Sequence, residues 1–130
     1  VVTATNSPTP VFNGTDIMNG AHINAIGSFR PDMQEIDEYT VKRSIVIVDQ
    51  CEAVLSEAGD IVIPLRKGII TEQHIQAELG EIVAGEKIGR KTANDVTLFK
   101  SVGNAAQDIG VAKLVLESAA ANNLGAIVPL

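Results

Sequence analysis

The chain has 130 residues, of which 45% are hydrophobic, and it carries a formal net charge of −6. This hydrophobic content is typical of a globular domain and too high for a disordered segment. An acidic chain without a cluster of Lys and Arg matches the phosphate backbone poorly, so we expect no nucleic-acid partner.

The single cysteine, Cys51, cannot form an internal disulfide, and the first residues lack the pattern of a signal peptide. These features favour a cytoplasmic protein. Charged residues, Pro or Gly interrupt every apolar run well before the roughly 20 residues of a membrane helix, so we expect no membrane partner. Because the chain begins on a strand-like run without Met, we expect it to be part of a longer protein.

Strand and turn signals alternate at the start of the chain. Residues 1–5 are β-prone and run into a turn containing Pro8 and Pro10, which ends a strand near Thr5. A second turn at residues 13–16 predicts a short helical segment at residues 17–19. Residues 22–26 then alternate as a strand.

A helix is predicted after this second strand. Asp32 and Glu35 have the spacing of a capping box, so the helix begins at Asp32 or, alternatively, at Asp37, and runs to Arg43. This interpretation assigns both Asp32 and Glu35 to the helix start.

The next elements complete an alternating pattern. Residues 44–49 form a continuous β-branched run, as in a strand buried on both faces of a parallel sheet. Residues 52–58 predict a helix that ends at Gly59. Alternating strands and helices indicate a doubly wound α/β sheet.

The last third predicts two helices around one strand. Thr71 is expected to cap a helix whose apolar residues recur at intervals of three and four until Gly85, and residues 96–99 form a strand. A longer helix starts at Asn104, and its wide apolar surface predicts packing on more than one neighbour. The apolar positions of the two helices are Ile75, Leu79, Ile82 and Val83, and Ala105, Ile109, Ala112, Leu114, Val115, Leu116 and Ala119.

Several kinds of site have no signature in the chain. His22 and His74 lack a second ligand at zinc spacing, so no metal site is predicted. We expect His22 to be a hydrogen-bonded core residue and His74 a surface residue in the first turn of a helix. The G-x-S-x-G, G-x-G-x-x-G and P-loop patterns are also missing, and no catalytic residue is assigned.

Three segments are expected to meet at the carboxyl edge of the sheet, where ligands bind in open α/β folds. They are residues 3–5, residues 26–28 and the helix start at residues 101–103. Gly27 lets the backbone approach a flat ring. The alternative is purely structural, with a turn, a strand terminator and an N-cap. A half sheet would also leave a pairing edge exposed, so we expect the isolated segment to be unstable or to aggregate.

Four segments, in this order, resemble the ornithine cyclodeaminase/mu-crystallin family of nicotinamide-dependent enzymes. The most specific is Gly20-Ala21-His22-Ile23-Asn24-Ala25-Ile26-Gly27, followed by a Pro-containing loop and Glu35-Ile36-Asp37. The other three segments are residues 1–5, 77–85 and 97–108.

The resemblance implies a fold, a cofactor and an assembly. Residues 1–100 would be the second half of a Rossmann-like doubly wound parallel sheet that binds NAD or NADP. Residues 101–130 would form a C-terminal helix returning to a second domain, through which family members form homodimers.

The resemblance also implies roles for individual residues. Thr3, Ser101 and the backbone of Ile26, Gly27 and Ser28 would contact the cofactor. Val102 would border the substrate, a small amino or imino acid.

One departure from the family pattern bears on the reaction. Ornithine cyclodeaminases and the related archaeal alanine dehydrogenases carry an acidic residue two positions after the glycine, where this chain has Phe29. A phenyl ring cannot act as an acid or a base. The loop resembles the mu-crystallin and pyrroline-carboxylate reductase branch, which implies an NAD(P)-dependent imino- or amino-acid oxidoreductase. A cyclodeaminase that recycles NAD and a non-catalytic NADPH-binding protein remain alternatives.

Overall fold

The computed structural model describes residues 1–126 and residue 128. Within these residues five parallel strands form one sheet, in the order β1-β2-β5-β3-β4. The strands are β1 (Val2–Thr3), β2 (His22–Ala25), β3 (Ile45–Val48), β4 (Ile75–Glu78) and β5 (Thr97–Lys100). The helices are α1 (Glu38–Arg43), α2 (Cys51–Glu57), α3 (Gly59–Arg66), α4 (Leu79–Val83) and α5 (Ala105–Ala121), with 3₁₀ turns at Gly14–Asp16 and Glu72–His74. The predicted α/β parallel sheet is confirmed.

Because every strand pair is parallel, all carboxyl ends lie along one edge of the sheet. The register aligns Thr3 with Ala25, Ala25 with Lys100, and Lys100 with Val48. Val48 in turn pairs with Glu78. We call this row the carboxyl edge.

One face of the sheet carries the hydrophobic core. Ile23, Val46 and Leu98 on the inner strands are fully buried, as are Val54 of α2 and Ile61 of α3. Helices α1, α2 and α3 therefore cover this face with aliphatic side chains. Burying aliphatic side chains of this size contributes about 1.5–3 kcal/mol each.

The opposite face is more open and holds His22. Its ring nitrogens hydrogen-bond to Thr97 Oγ1 at 2.7 Å and to Asn24 Oδ1 at 3.1 Å. The side chain is exposed, so its predicted hydrogen bonding is confirmed and its predicted core position is wrong. The alternation along β2 puts Ile23 and Ala25 in the core and His22 and Asn24 on the other face.

Two expected helices differ in the structure. The segment after Thr71 forms a 3₁₀ turn, then β4, and only then the short helix α4. Its apolar residues at intervals of three and four matched a helix, but Ala77 is buried and pairs with β3. The short helical turn near the start lies at Gly14–Asp16, capped by Asn13, and not at residues 17–19.

The other helix predictions are closer. Helix α1 follows the second of the two predicted starts, since Asp37 Oδ1 accepts the N–H of Thr40 at 2.8 Å. Helix α2 ends at Glu57, just before Gly59 as predicted, but Gly59 also begins α3, which was not predicted. His74 is half-buried and its Nε2 lies 2.9 Å from the carbonyl oxygen of Val41, so the surface assignment was wrong.

Helix α5 forms as predicted, with Asn104 Oδ1 accepting the N–H of Ala106 at 2.9 Å. None of its residues is buried. Its apolar side chains, including Ile109 and Leu116, are largely exposed. The predicted packing on several neighbours is therefore not seen within the described residues. Among these residues, no helix combines the length and apolarity needed to cross a bilayer.

A fully buried ion pair joins the end of β5 to the start of α3. Lys100 Nζ lies 3.4 Å from Asp60 Oδ2, and both side chains are inaccessible to solvent. Lys100 Nζ also donates to the carbonyl of Ala25 at 3.1 Å. Asp60 Oδ1 accepts the N–H groups of Glu35 at 2.7 Å and Ile36 at 2.9 Å. Burial raises the pKa of Asp60 and lowers the pKa of Lys100, against the opposing attraction of the two charges.

Gly59 is required for packing, because a Cβ there would lie 1.9 Å from Met33 O and 2.9 Å from Arg30 O. We expect Gly59→Ala to lower the free energy of unfolding by about 1–3 kcal/mol through this overlap. Gly80, in α4, has nothing within 4 Å of an added Cβ. The control Gly80→Ala should be neutral or stabilising by about 0.5–1 kcal/mol. Urea unfolding of both variants of the full-length protein checks this, and equal stabilities would contradict it.

Lys100→Met should cost about 3–5 kcal/mol of unfolding free energy at pH 8, because it leaves the Asp60 carboxylate buried without a counter-charge. The folded state raises the pKa of Asp60. The loss should therefore be smallest below the ordinary pKa of Asp and grow as pH rises through the raised folded pKa.

The double variant Lys100→Met with Asp60→Asn serves as the control. It removes the uncompensated charge but keeps an oxygen for the N–H groups of Glu35 and Ile36. We expect it to be more stable than Lys100→Met at pH 8 and to lack the extra pH dependence. Urea unfolding of the full-length variants between pH 5.5 and 8 measures both effects, and a loss independent of pH would rule out this account.

Candidate functional site

The strand pairing continues one residue beyond the carboxyl edge, so the loops after β1, β2, β5 and β3 leave the sheet side by side. Ile26 N donates to Thr3 O at 2.9 Å, and Ser101 N donates to Ala25 O at 3.1 Å. Asp49 N donates to Lys100 O at 3.2 Å. The structure thus brings the predicted segments after β1, β2 and β5 together at one edge.

A shallow hollow of about 490 Å³ opens between the loops that follow β1 and β2. Ile26 and Phe29 supply its apolar surface and are 41% and 52% exposed. Gly27, which lies between them in the sequence, contributes backbone atoms to the lining. The lining residues are Ala4, Thr5, Asn6, Ile26, Gly27 and Phe29. We call this cavity the edge hollow.

The carboxylate of Glu35 lies behind the edge hollow and binds both of its loops. Oε2 accepts the N–H of Gly27 at 2.8 Å, and Oε1 accepts the N–H of Thr5. The side chain is fully buried. Burial acts to raise the pKa of Glu35, but the hydrogen bonds from Thr5, Thr3 and Gly27 outweigh it and hold the pKa below its usual value.

This contact also explains why residue 27 is a glycine. A Cβ there would lie 2.1 Å from Thr5 O and 2.4 Å from Glu35 Oε1. The missing side chain therefore makes room for the protein's own backbone and carboxylate. This packing does not test the prediction that Gly27 lets a ligand ring approach the backbone.

The assignment of Asp32 and Glu35 to a helix start was wrong. Asp32 is exposed and pairs with Arg30 at 3.1 Å. Glu35 belongs to a stretch of buried residues, 33–36, that is not helical. The sequence signal for a buried Glu35 was its place between the apolar residues Met33 and Ile36. A carboxylate buried there needs specific hydrogen-bond donors.

A second carboxylate, Asp49, organises the start of the loop after β5. Its Oδ2 accepts the hydroxyl of Ser101 at 2.7 Å, the N–H of Val102 at 3.0 Å and the N–H of Gly103 at 2.9 Å. Ser101 Oγ gives its one proton to Asp49 and accepts the N–H of Gly103 at 3.2 Å, so it can offer a further partner only its remaining lone pair. No pattern in the sequence pointed to Asp49.

The remaining predicted residues lie at the edge with different orientations. Ser28 is fully buried, and its hydroxyl donates to Met33 O at 2.8 Å and accepts the N–H of Asp60 at 3.3 Å. Thr3 is buried, and its hydroxyl contributes to the lowered pKa of Glu35. Val102 is half-exposed. Of the predicted contacts, only Ile26 and Gly27 line the edge hollow.

Residues 1–126 and 128 hold no group of three or more His, Cys, Asp or Glu side chains able to bind a metal ion. Cys51 is a half-buried free cysteine. Burial and the nearby Glu78 raise the pKa of its thiol. A raised thiol pKa disfavours the nucleophilic thiolate.

Comparison with known proteins shows similarity over almost the whole chain. A model of the ornithine cyclodeaminase/mu-crystallin family matches residues 1–123. The Delta(1)-pyrroline-2-carboxylate reductase of Bacillus cereus is 46% identical over 126 residues, which are 96% of this chain and 38% of that protein. The alanine dehydrogenase of Archaeoglobus fulgidus is 39% identical over 125 residues, with the same two coverages.

A solved structure shows the same fold. Thermococcus litoralis Delta(1)-pyrroline-2-carboxylate reductase, in complex with NADH and L-proline, matches with a TM-score of 0.90 and 47% identity, over 98% of this chain and 39% of that one. This chain therefore spans about two fifths of the length of these relatives. The four segments named from the sequence fall within the matched residues. The chain belongs to the ornithine cyclodeaminase/mu-crystallin family.

Proposed function

We propose that the full-length family member containing this chain is an NAD(P)H-dependent reductase of a cyclic imino acid. This chain would supply the wall of the cofactor site that faces the nicotinamide. The similarity to pyrroline-2-carboxylate reductases, one of them solved with NADH and L-proline, supports the proposal.

The carboxyl edge suits a nicotinamide ring in two respects. Ile26 and Phe29 offer an exposed apolar surface. Ser101 Oγ, whose proton is held by Asp49, offers an acceptor that a carboxamide N–H could use. The proposed contacts are the residues implied by the family: Thr3, Ile26, Gly27, Ser28 and Ser101 toward the cofactor, and Val102 toward the substrate.

When bound, the nicotinamide supplies the hydride, and the residues of this chain bind and orient the ring. Behind the edge, the buried side chains of Glu35, Asp60 and Lys100 hold the loops of this wall in place through hydrogen bonds to the backbone. A preorganised wall lowers the entropic cost of placing the ring against the substrate.

Phe29 favours the proposed reductase over a cyclodeaminase. It lines the edge hollow at the position where cyclodeaminases of the family carry an acidic residue that exchanges a proton with the substrate. The phenyl ring of Phe29 can neither donate nor accept that proton. No acidic side chain lines the edge hollow. We therefore prefer imine reduction, or its reverse, to deamination of ornithine or lysine.

Assembly and location form a second part of the proposal. Residues 1–100 would be half of the cofactor domain, and residues 101–130 would return to a second domain. The exposed apolar surface of α5 would be covered there, in a homodimer. The free Cys51 fits a cytoplasmic protein.

Light scattering of the full-length protein should give twice the monomer mass, and a monomer would contradict the homodimer.

The reaction is tested by incubating full-length protein with Delta(1)-pyrroline-2-carboxylate and NADH or NADPH. We expect consumption of the reduced cofactor with formation of proline. In parallel, ornithine with NAD and no added reductant should release little ammonia.

Two results would overturn the proposal. Robust ammonia release from ornithine would identify a cyclodeaminase. Tight binding of NADPH without turnover of any cyclic imine would identify a non-catalytic binding protein.

A further inference from the structure

The two walls of the edge hollow are far apart along the chain. One wall is the loop after β1, with Thr5, and the other is the loop after β2, with Gly27. Strand pairing holds them together as far as the bond from Ile26 N to Thr3 O. Beyond that bond, Glu35 accepts an N–H group from each wall.

Glu35 is itself held from the opposite side. Asp60 Oδ1 accepts the backbone N–H of Glu35 at 2.7 Å, and Asp60 pairs with Lys100, which donates to Ala25 O at the end of β2. The route from Lys100 through Asp60 to Glu35 is fully buried. The Glu35 carboxylate therefore has a defined position relative to the strand ends, and its hydrogen bonds fix the positions of both loops.

We propose that Glu35 is a positioning residue that sets the spacing of the two walls of the edge hollow and so tunes affinity for the nicotinamide half of the dinucleotide. This inference rests on the proposed function for its ligand. Glu35 does not line the edge hollow, so it acts through Thr5 and Gly27 and not by touching the ligand.

Glutamine is the appropriate replacement, because it has nearly the same shape. Its amide has one oxygen for one of the two N–H groups, and its NH₂ then faces the other N–H as donor against donor. One wall should be released. Hydrogen bonds to charged groups are among the stronger ones in proteins, so the effect should be measurable.

The test is calorimetric titration of the full-length Glu35→Gln variant with NADH and with ADP-ribose, or with their 2′-phosphorylated counterparts. We expect the Kd for NADH to rise about tenfold or more, while the Kd for ADP-ribose changes less than about twofold. ADP-ribose lacks the nicotinamide, so a general loss of folded protein would weaken both ligands alike.

Glu38→Gln is the matched control. Glu38 lies three residues further on and pairs with Lys67 near the surface, away from the edge hollow. It should leave both affinities within about twofold of the wild type. Equal weakening of NADH and ADP-ribose by Glu35→Gln, or no change in either, overturns the inference. A wild-type protein that binds neither ligand overturns the proposed function instead.

If Glu35→Gln does not fold, amide hydrogen exchange of the wild type decides. With the walls held by Glu35, the Thr5 and Gly27 amides should exchange slowly without any cofactor. Exchange at the rate of open loops, slowed only when NADH is added, would overturn the inference.

Discussion

Three charged side chains sealed behind the carboxyl edge constrain the rest of this structure. Lys100, Asp60 and Glu35 are fully excluded from solvent. They lie on β5, on the first turn of α3 and in the segment before α1. Ionised groups are costly to bury, and a buried ion pair by itself gives little net stability. Its effect is geometric, because each charge must meet its own partners and few arrangements of the chain allow that.

Those partners are mostly backbone groups, and this makes the constraint local to the candidate site. The carboxylates of Asp60 and Glu35 each accept two N–H groups, and Lys100 donates to a strand-end carbonyl. Side-chain changes in the loops, other than at Gly27, would leave these contacts in place. The loops of the edge hollow can therefore differ in surface chemistry, as at Phe29, while their backbone stays fixed.

The sequence was sufficient for elements whose burial follows a simple period. β3 is buried on both faces and was recognisable as a continuous β-branched run. The region after Thr71 was misread, because Ile75, Leu79 and Ile82 match a helical period while the first of them belongs to a strand. That strand exists because it pairs with β3, a partner about 30 residues away, and periodicity carries no information about such pairing. Helix α3 was missed because Gly59, which resembles a stop, is needed for close packing on Met33.

For the candidate site, the strand pattern predicted which segments meet at the carboxyl edge, and local rules did not identify the residues that support those segments. Asp and Glu are ordinarily exposed, so Asp49 and Asp60 resembled surface residues, and Glu35 resembled a helix cap. Their roles depend on donors that are 8 to 54 residues distant along the chain. Only the folded chain brings these donors to the carboxylates.

The position of β5 has a consequence for the order in which the chain can fold. β5 is last in sequence but lies between β2 and β3, and its Thr97 pairs with His22, 75 residues earlier. On a ribosome, the pairs β1–β2 and β3–β4 emerge first as separate halves, with no strand to join them. Lys100, the counter-charge of Asp60, arrives on the same late strand. Closure of the sheet and neutralisation of its buried acid are thus a single late event with a large loop-closure entropy.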